Sequence, residues 1–163
     1  MRILLTGGTG YIGSHTSIVL LEAGFDLVIV DSFDNSSPKV TEKIRKILGI
    51  SEAEFNKRVF LREGDIRSYK FLKKVFEEFS ATKNRIEAVI HFAGLKSVSE
   101  SSEKPLLYWD VNVKGSINLL LVMQYFKCFN IVFSSSCTLY GESGVDLISE
   151  KARVQPMNPY GFS

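Results

Sequence analysis

The apolar run Ile3 to Leu5 leads straight into TGGTGYIG, which places glycine at positions 7, 8, 10 and 13. The segment satisfies GxGxxG through Gly8, Gly10 and Gly13, and equally GxxGxxG through Gly7, Gly10 and Gly13. A turn this tight needs positive φ and an unobstructed backbone, so that amide N–H groups at the start of the following helix can point at a pyrophosphate. A glycine triplet alone is weak evidence. Here a strand-like run precedes it, a helical stretch follows it, and Asp31 closes the next apolar run. The Asp31 carboxylate would accept from a ribose 2′-hydroxyl and repel a 2′-phosphate, which favours NAD over NADP. Two further strand ends fit a dinucleotide. Asp65 in GDIR is an acceptor for the adenine amine, and FAG at Phe92 to Gly94 lets backbone approach closely.

Short apolar runs recur at Ile3 to Leu5, Leu27 to Val30, Val59 to Leu61, Ala88 to Phe92 and Ile131 to Phe133. Each is rich in β-branched or aromatic residues and bounded by polar residues or glycine, as strands buried on both faces of a parallel sheet are. Between them the period changes. Phe71, Leu72, Val75, Phe76 and Phe79 form one helical stripe behind a Ser68 cap. Ser14 to Ala23 reads as a helix ending at Gly24. Leu106 to Phe126 reads as a long helix behind Pro105, with close packing expected at Gly115. The polar stretch from Ser36 to Lys57 suggests one short helix near Val40 to Leu48 with loose flanks. Alternating strands and helices predict an α/β, doubly wound parallel sheet of the Rossmann type.

The chain has 163 residues, 45% of them hydrophobic and 23% charged, with a formal net charge of +2. This suits one globular domain and excludes disordered, collagen-like and disulfide-scaffold classes. So even a balance argues against nucleic acid or an anionic membrane as partner. The run Lys70, Lys73, Lys74, Glu77 and Glu78 reads as the solvated side of a helix. Cys128 and Cys137 have no metal-ligand spacing, so no metal site is expected, and a reducing cytoplasm fits them best. No run reaches the ~20 apolar residues of a membrane span.

Two later segments carry chemistry. The fifth apolar run ends in SSSCTLYG, Ser134 to Gly141, and the chain closes with NPYGFS, Asn158 to Ser163. A serine at a strand's carboxyl end can hydrogen-bond a substrate hydroxyl. A tyrosine phenol can act as base where positive charge favours its ionised form.

Taken in order, TGGTGYIGSHT, VDSFDNS, EGDIR, VIHFAGLKSV, KPLLYWDVNVKGS, FSSSCTLYGE and NPYGFS resemble the NAD-dependent UDP-glucose 4-epimerases of the extended short-chain dehydrogenase/reductase family. The likeness covers essentially the whole chain. It implies that Gly7, Gly10, Tyr11, Ile12 and Gly13 form the pyrophosphate turn. It assigns Asp31, Asn35 and Ser36 to the adenosine ribose and its surroundings, and Asp65 and Ile66 to adenine. Phe92, Ala93 and Lys96 would line the cofactor, and Ser136 and Tyr160 would meet a UDP-hexose. In the family's mechanism the tyrosine removes the 4-hydroxyl proton while hydride passes to the nicotinamide. The 4-keto sugar then turns over and takes the hydride back on its other face. A homodimer, through the long helices, is implied by resemblance alone.

Some positions depart from the family pattern. Cys137 replaces an alanine and is expected as a small buried filler. Ser97 and Ser99 replace small residues, and Val111 stands where asparagine is common, with Asn112 adjacent. His15 and His91 lie inside the resembling motifs and are expected to be structural neighbours of the cofactor. Nucleotide-sugar 4,6-dehydratases share the fold and the tyrosine, but place an acidic pair after the fifth strand. Here Ser135, Ser136, Cys137 and Thr138 occupy those positions, with no carboxylate before Glu142. A dinucleotide-binding module without chemistry is the other alternative for this chain. The family's lysine, four residues beyond the tyrosine, would be residue 164. Asn158 and Pro159 form a good helix start, yet only four residues follow Pro159. The sequence is therefore expected to be the cofactor-binding front half of an enzyme.

Overall fold

In the computed structural model, which describes residues 1–81, 85–141 and 147–163, the apolar runs form one parallel sheet. Its strands are β1 (Arg2–Thr6), β2 (Asp26–Asp31), β3 (Val59–Glu63), β4 (Ile86–His91) and β5 (Asn130–Phe133), in the order β3-β2-β1-β4-β5. The order runs outward in both directions from β1, so the chain reverses direction across the sheet between β1 and β4. Open α/β sheets bind ligands beyond the carboxyl ends of their strands at such a switch point.

Leu4 pairs in register with Val28 on one side and Val89 on the other. These three are fully buried, as the unbroken apolar runs predicted. Leu4, Val28, Val30 and Val89 face one helical layer, made by α4 (Tyr69–Ser80) and α7 (Gly115–Tyr125). Ile3, Leu5, Leu27 and Ile29 face the other, made by α1 (Tyr11–Glu22), α2 (Lys39–Leu48) and α3 (Glu52–Arg58). Each such side chain contributes roughly 1.5–3 kcal/mol by leaving water. The stripe on α4 is buried at Leu72, Val75, Phe76 and Phe79, and the Ser68 side chain accepts from Phe71 N. Its outer face carries the Lys73–Glu77 ion pair.

The structure departs from the sequence reading in five places. Helix α1 begins at Tyr11, three residues before Ser14, because the last glycine of the turn lies inside the helix. Helix α3 fills a flank expected to be loose. Ser51 caps it by accepting from Glu54 N, and Phe55 anchors it in the core. The long helix expected from Leu106 is broken into α6 (Pro105–Tyr108), a π-helical turn (Trp109–Lys114) and α7, with an unforeseen α5 (Val98–Glu103) before them. Strand β5 is exposed along its whole length rather than buried, because it pairs only with β4 and no described helix covers it. Cys137 is exposed and not a buried filler, because it opens a short 3-10 turn beyond that open edge. Cys128 is buried, and burial raises its thiol pKa.

Gly115 behaves as expected: a Cβ there would lie 2.7 Å from side-chain carbons of Ile66. Among the described residues no helix is long and apolar enough to cross a membrane, and no cluster of His, Cys, Asp and Glu could hold a metal.

Candidate functional site

The glycine turn is built by packing as much as by torsion. Gly7 has φ +66°, and a Cβ on it would lie 2.8 Å from Ala93 N, so the turn lies directly on the Phe92–Ala93 backbone. A Cβ on Gly13 would sit 2.4 Å from the Gly7 carbonyl oxygen. Helix and turn therefore meet at backbone distance, which leaves the first-turn amides of α1 to face outward. Tyr11 and Ile12, at the helix start, are exposed.

At the end of β2, Asp31 is buried and spends its carboxylate on loop geometry. Oδ1 accepts from Phe33 N at 3.0 Å and Ser36 Oγ at 2.9 Å, and Oδ2 accepts from Thr9 N at 3.0 Å. Thr9 N belongs to the glycine turn, so Asp31 ties that turn to the loop after β2. Oδ2 keeps a second lone pair for a ligand hydroxyl. Ser36 does not line the groove. Its hydroxyl supports Asp31 from behind and meets Thr9 Oγ1 at 2.8 Å.

Asp31, Asn35, Asp65, Ile66, Ala93 and Val111 line a hollow of about 100 Å³. Asp65 is not the free acceptor that the sequence suggested. Its Oδ1 accepts from Arg67 N at 2.7 Å, and its Oδ2 accepts from Arg67 Nε at 2.8 Å and Nη2 at 2.5 Å. The Arg67 hydrogen bonds hold its carboxyl below the ordinary range, and only Oδ1 retains acceptor capacity. Arg67 also reaches Asp110 at 3.2 Å, joining the end of β3 to the π-helical turn.

The hollow shares Asn35, Phe92, Ala93, Gly94 and Leu95 with a larger cleft of about 440 Å³. Gly7, Tyr11, Ile12 and Gly13 line it, as do Lys96, Ser136 and Tyr160. Apart from Gly10 and Ser36, which line neither part, the site residues singled out in the sequence thus converge on one groove, from Asp31 at one end to Tyr160 at the other. Among the described residues lining the cleft, Lys96 is the one charged side chain and no carboxylate is present. Glu142 lies outside the described residues.

Ser136 caps the 3-10 turn (Cys137–Tyr140), its Oγ accepting from Thr138 N at 3.3 Å and Thr138 Oγ1 at 3.0 Å. With both lone pairs engaged, its hydroxyl proton is left for a ligand oxygen. Tyr160 lies at the start of α8 (Pro159–Phe162). The Asn158 side chain caps that helix by accepting from Gly161 N at 2.9 Å, and Pro159 takes the first position. The ring of Tyr160 meets Tyr108 edge to face at 6.1 Å.

Sequence reasoning missed the residues that hold this geometry. Tyr108 is fully buried; its hydroxyl accepts from Ser97 N at 2.9 Å and donates to Glu100 at 3.1 Å, and burial raises its pKa. Asn112, carried on the π-helical turn, accepts from Leu95 N at 2.8 Å and donates to Leu95 O at 3.0 Å and Ser163 Oγ at 3.1 Å. A π-bulge often marks a functional site, but helical periodicity gives no sign of one. His15 is exposed on α1, its Nδ1 bonded to Tyr11 O. His91 is buried beside the groove.

Residues 4–163 match the family described as GDP-mannose 4,6 dehydratase. UDP-glucose 4-epimerase 2 of Arabidopsis thaliana is 45% identical over 159 residues, covering 98% of this chain and 43% of that protein. UDP-glucose 4-epimerase of Pasteurella multocida is 46% identical over 164 residues, covering 100% of this chain and 45% of that protein. Among solved structures, the Stenotrophomonas maltophila UDP-glucose 4-epimerase with bound NAD and formylated UDP-arabinopyranose is 41% identical with a TM-score of 0.87, covering 99% of this chain and 45% of that one. The Bifidobacterium longum enzyme in complex with NAD+ and UDP is 40% identical with a TM-score of 0.88, covering 99% and 45%. The chain spans less than half the length of these relatives. By its match along almost its whole length, it belongs to the GDP-mannose 4,6 dehydratase family, with UDP-glucose 4-epimerases among its similar members.

Proposed function

We propose that this chain is the NAD-binding part of a UDP-glucose 4-epimerase, which interconverts UDP-glucose and UDP-galactose. One observation carries the reading: a single groove joins the glycine turn and Asp31 at one end to Ser136 and Tyr160 at the other. The similar epimerases solved with NAD support it.

The residues present fit the cofactor. Gly7, Gly10, Tyr11, Ile12 and Gly13 leave backbone amides clear for a pyrophosphate, because a Cβ at Gly7 or Gly13 would collide with neighbouring backbone. Asp31 offers a lone pair to a ribose hydroxyl and excludes a 2′-phosphate by charge, with Asn35 beside it and Ser36 holding it. Asp65 and Ile66, which line the hollow, would flank the adenine. Phe92 and Ala93 bring backbone close to the dinucleotide, and Lys96 adds the positive charge. When bound, NAD would supply a reversible hydride acceptor for sugar C4. Ser136 donates to the sugar oxygen, orienting it. Tyr160 takes the 4-hydroxyl proton and gives it back after the 4-keto sugar has turned over.

Net dehydration is disfavoured despite the family's name, because the described cleft lining carries no carboxylate to eliminate water. The enzyme works in the cytoplasm, consistent with its two free cysteines, and as a homodimer, for which exposed Leu120, Leu121 and Tyr125 on α7 offer apolar surface.

The test is to incubate the full-length protein with UDP-galactose. UDP-glucose is expected, and Tyr160→Phe should lower turnover by roughly 10²–10⁴ while NAD stays bound. Absence of UDP-glucose from protein that holds NAD would overturn the reading.

A further inference from the structure

His91 is the last residue of β4, 3% exposed, with the Phe133 ring against it at 5.4 Å. Its hydrogen bonds run in a fixed direction. Ser116 Oγ bonds to the Asn112 carbonyl, which can only accept, so the serine proton points there. Ser116 Oγ must then accept from His91 Nε2, 2.9 Å away, so Nε2 carries the ring proton. Nδ1 is therefore bare and accepts from Thr6 Oγ1. Thr6 Oγ1 in turn accepts from Ala93 N at 3.3 Å.

The path continues at both ends into the site. Thr6 immediately precedes Gly7, and Ala93 is the backbone on which Gly7 rests. Asn112 grips both polar atoms of Leu95 and reaches Ser163 Oγ, which donates to Tyr160 O at 3.1 Å. One imidazole thus links Thr6, the residue before the glycine turn, to the backbone of Asn112, whose side chain reaches the helix of Tyr160.

We propose that His91 is a positioning residue, fixed as the neutral Nε2–H tautomer, that sets the glycine turn and the tyrosine helix in register with each other. This rests on the reading of the groove as the reaction site. The opposite tautomer would leave Thr6 and Ser116 facing the wrong ring atoms, and a charged ring could not accept from Thr6. Burial acts in the same direction, lowering the ring's pKa to about 4. Phenylalanine fills the same space without either bond, so the proposal separates from a purely space-filling role.

The chain has two histidines, and exposed His15 serves as an internal reference. In ¹⁵N-histidine-labelled protein at pH 7, His91 should give the shifts of a pure Nε2–H tautomer. His91→Phe should move the amide resonances of Ala93, Leu95 and Ser163 and lower exchange protection at Ala93 and Leu95 by ~10-fold. His91→Gln keeps a donor toward Ser116 and should restore Leu95 and Ser163. An Nδ1–H or averaged tautomer would overturn the proposal, as would Leu95 and Ser163 amides unmoved in the Phe variant. If that variant fails to fold, the wild-type tautomer and the Gln variant decide. None of these readouts needs NAD or turnover, so a failed epimerase assay and a failed positioning role are told apart.

Discussion

At the scale of single residues, the site is constrained where backbone meets backbone. Gly13 shows this best, because an alanine Cβ would lie 2.4 Å from the Gly7 carbonyl oxygen. Neither partner is a flexible side-chain end, so helix and turn must separate. Gly13→Ala is expected to cost about 1–3 kcal/mol and to abolish NAD binding, as read by urea denaturation and by titration with NAD. A change within 0.5 kcal/mol, about that of an ordinary surface substitution, would contradict the packing argument. His91 makes a pH-dependent contribution of known sign. Burial lowers its pKa from 6.5 to about 4 in the fold. Between those values the unfolded chain binds a proton that the folded chain refuses, so stability falls as pH falls through that window, by up to about 3 kcal/mol. His91→Gln should flatten that part of the profile, measured as urea midpoints at pH 7 and pH 4.5. Parallel profiles for the two proteins would contradict it.

At the scale of elements, strands, glycine turn and acidic strand end were legible in the sequence because each rests on a local pattern. Burial on both faces writes β-branched runs, and Asp31 stands where its strand stops. The break in the helix after Pro105 was not legible. Leu119, Val122 and Met123 fit an ordinary helical period, and nothing in that period shows the π-helical turn before them or the partners of Asn112, which it carries. Those partners lie 17 residues away at Leu95 and 51 away at Ser163. Tyr108 escaped for the same reason, since it reads as core and its role appears only when distant loops close on its hydroxyl; His91 was expected as a structural neighbour of the cofactor, but its bonds to Thr6 and Ser116 were not legible. Ser36 and Asp65 were identified in the sequence as groove residues, but it could not show that one supports Asp31 from behind and the other is largely spent on Arg67. Asn112→Ala should free both polar atoms of Leu95, costing about 1–3 kcal/mol. Hydrogen exchange at the Leu95 amide checks this, with loss of protection expected while the β1 amides stay protected. Unchanged protection at Leu95 would show that another group holds the loop.

At the scale of the whole molecule, one edge of the sheet differs from the rest. Phe129, just before β5, is 74% exposed, and Val132 and Phe133, on that strand with one paired edge, are 61% and 56% exposed. Contiguous apolar surface on an open strand edge favours association with other chains. The 163-residue chain should therefore bind an apolar dye and self-associate with rising concentration in light scattering. Val132→Lys should reduce both without lowering thermal stability. A wild-type chain that stays monomeric and dye-free would contradict that reading. The proposed function requires that the groove serve oxidation and re-reduction at one carbon, with nothing lost from the sugar. Its most direct test follows deuterium placed at C4 of UDP-galactose through the full-length enzyme. Deuterium retained at C4 of the UDP-glucose formed, with no incorporation from solvent water, is the predicted result. A 4-keto-6-deoxy product, or label absent from C4, would contradict it.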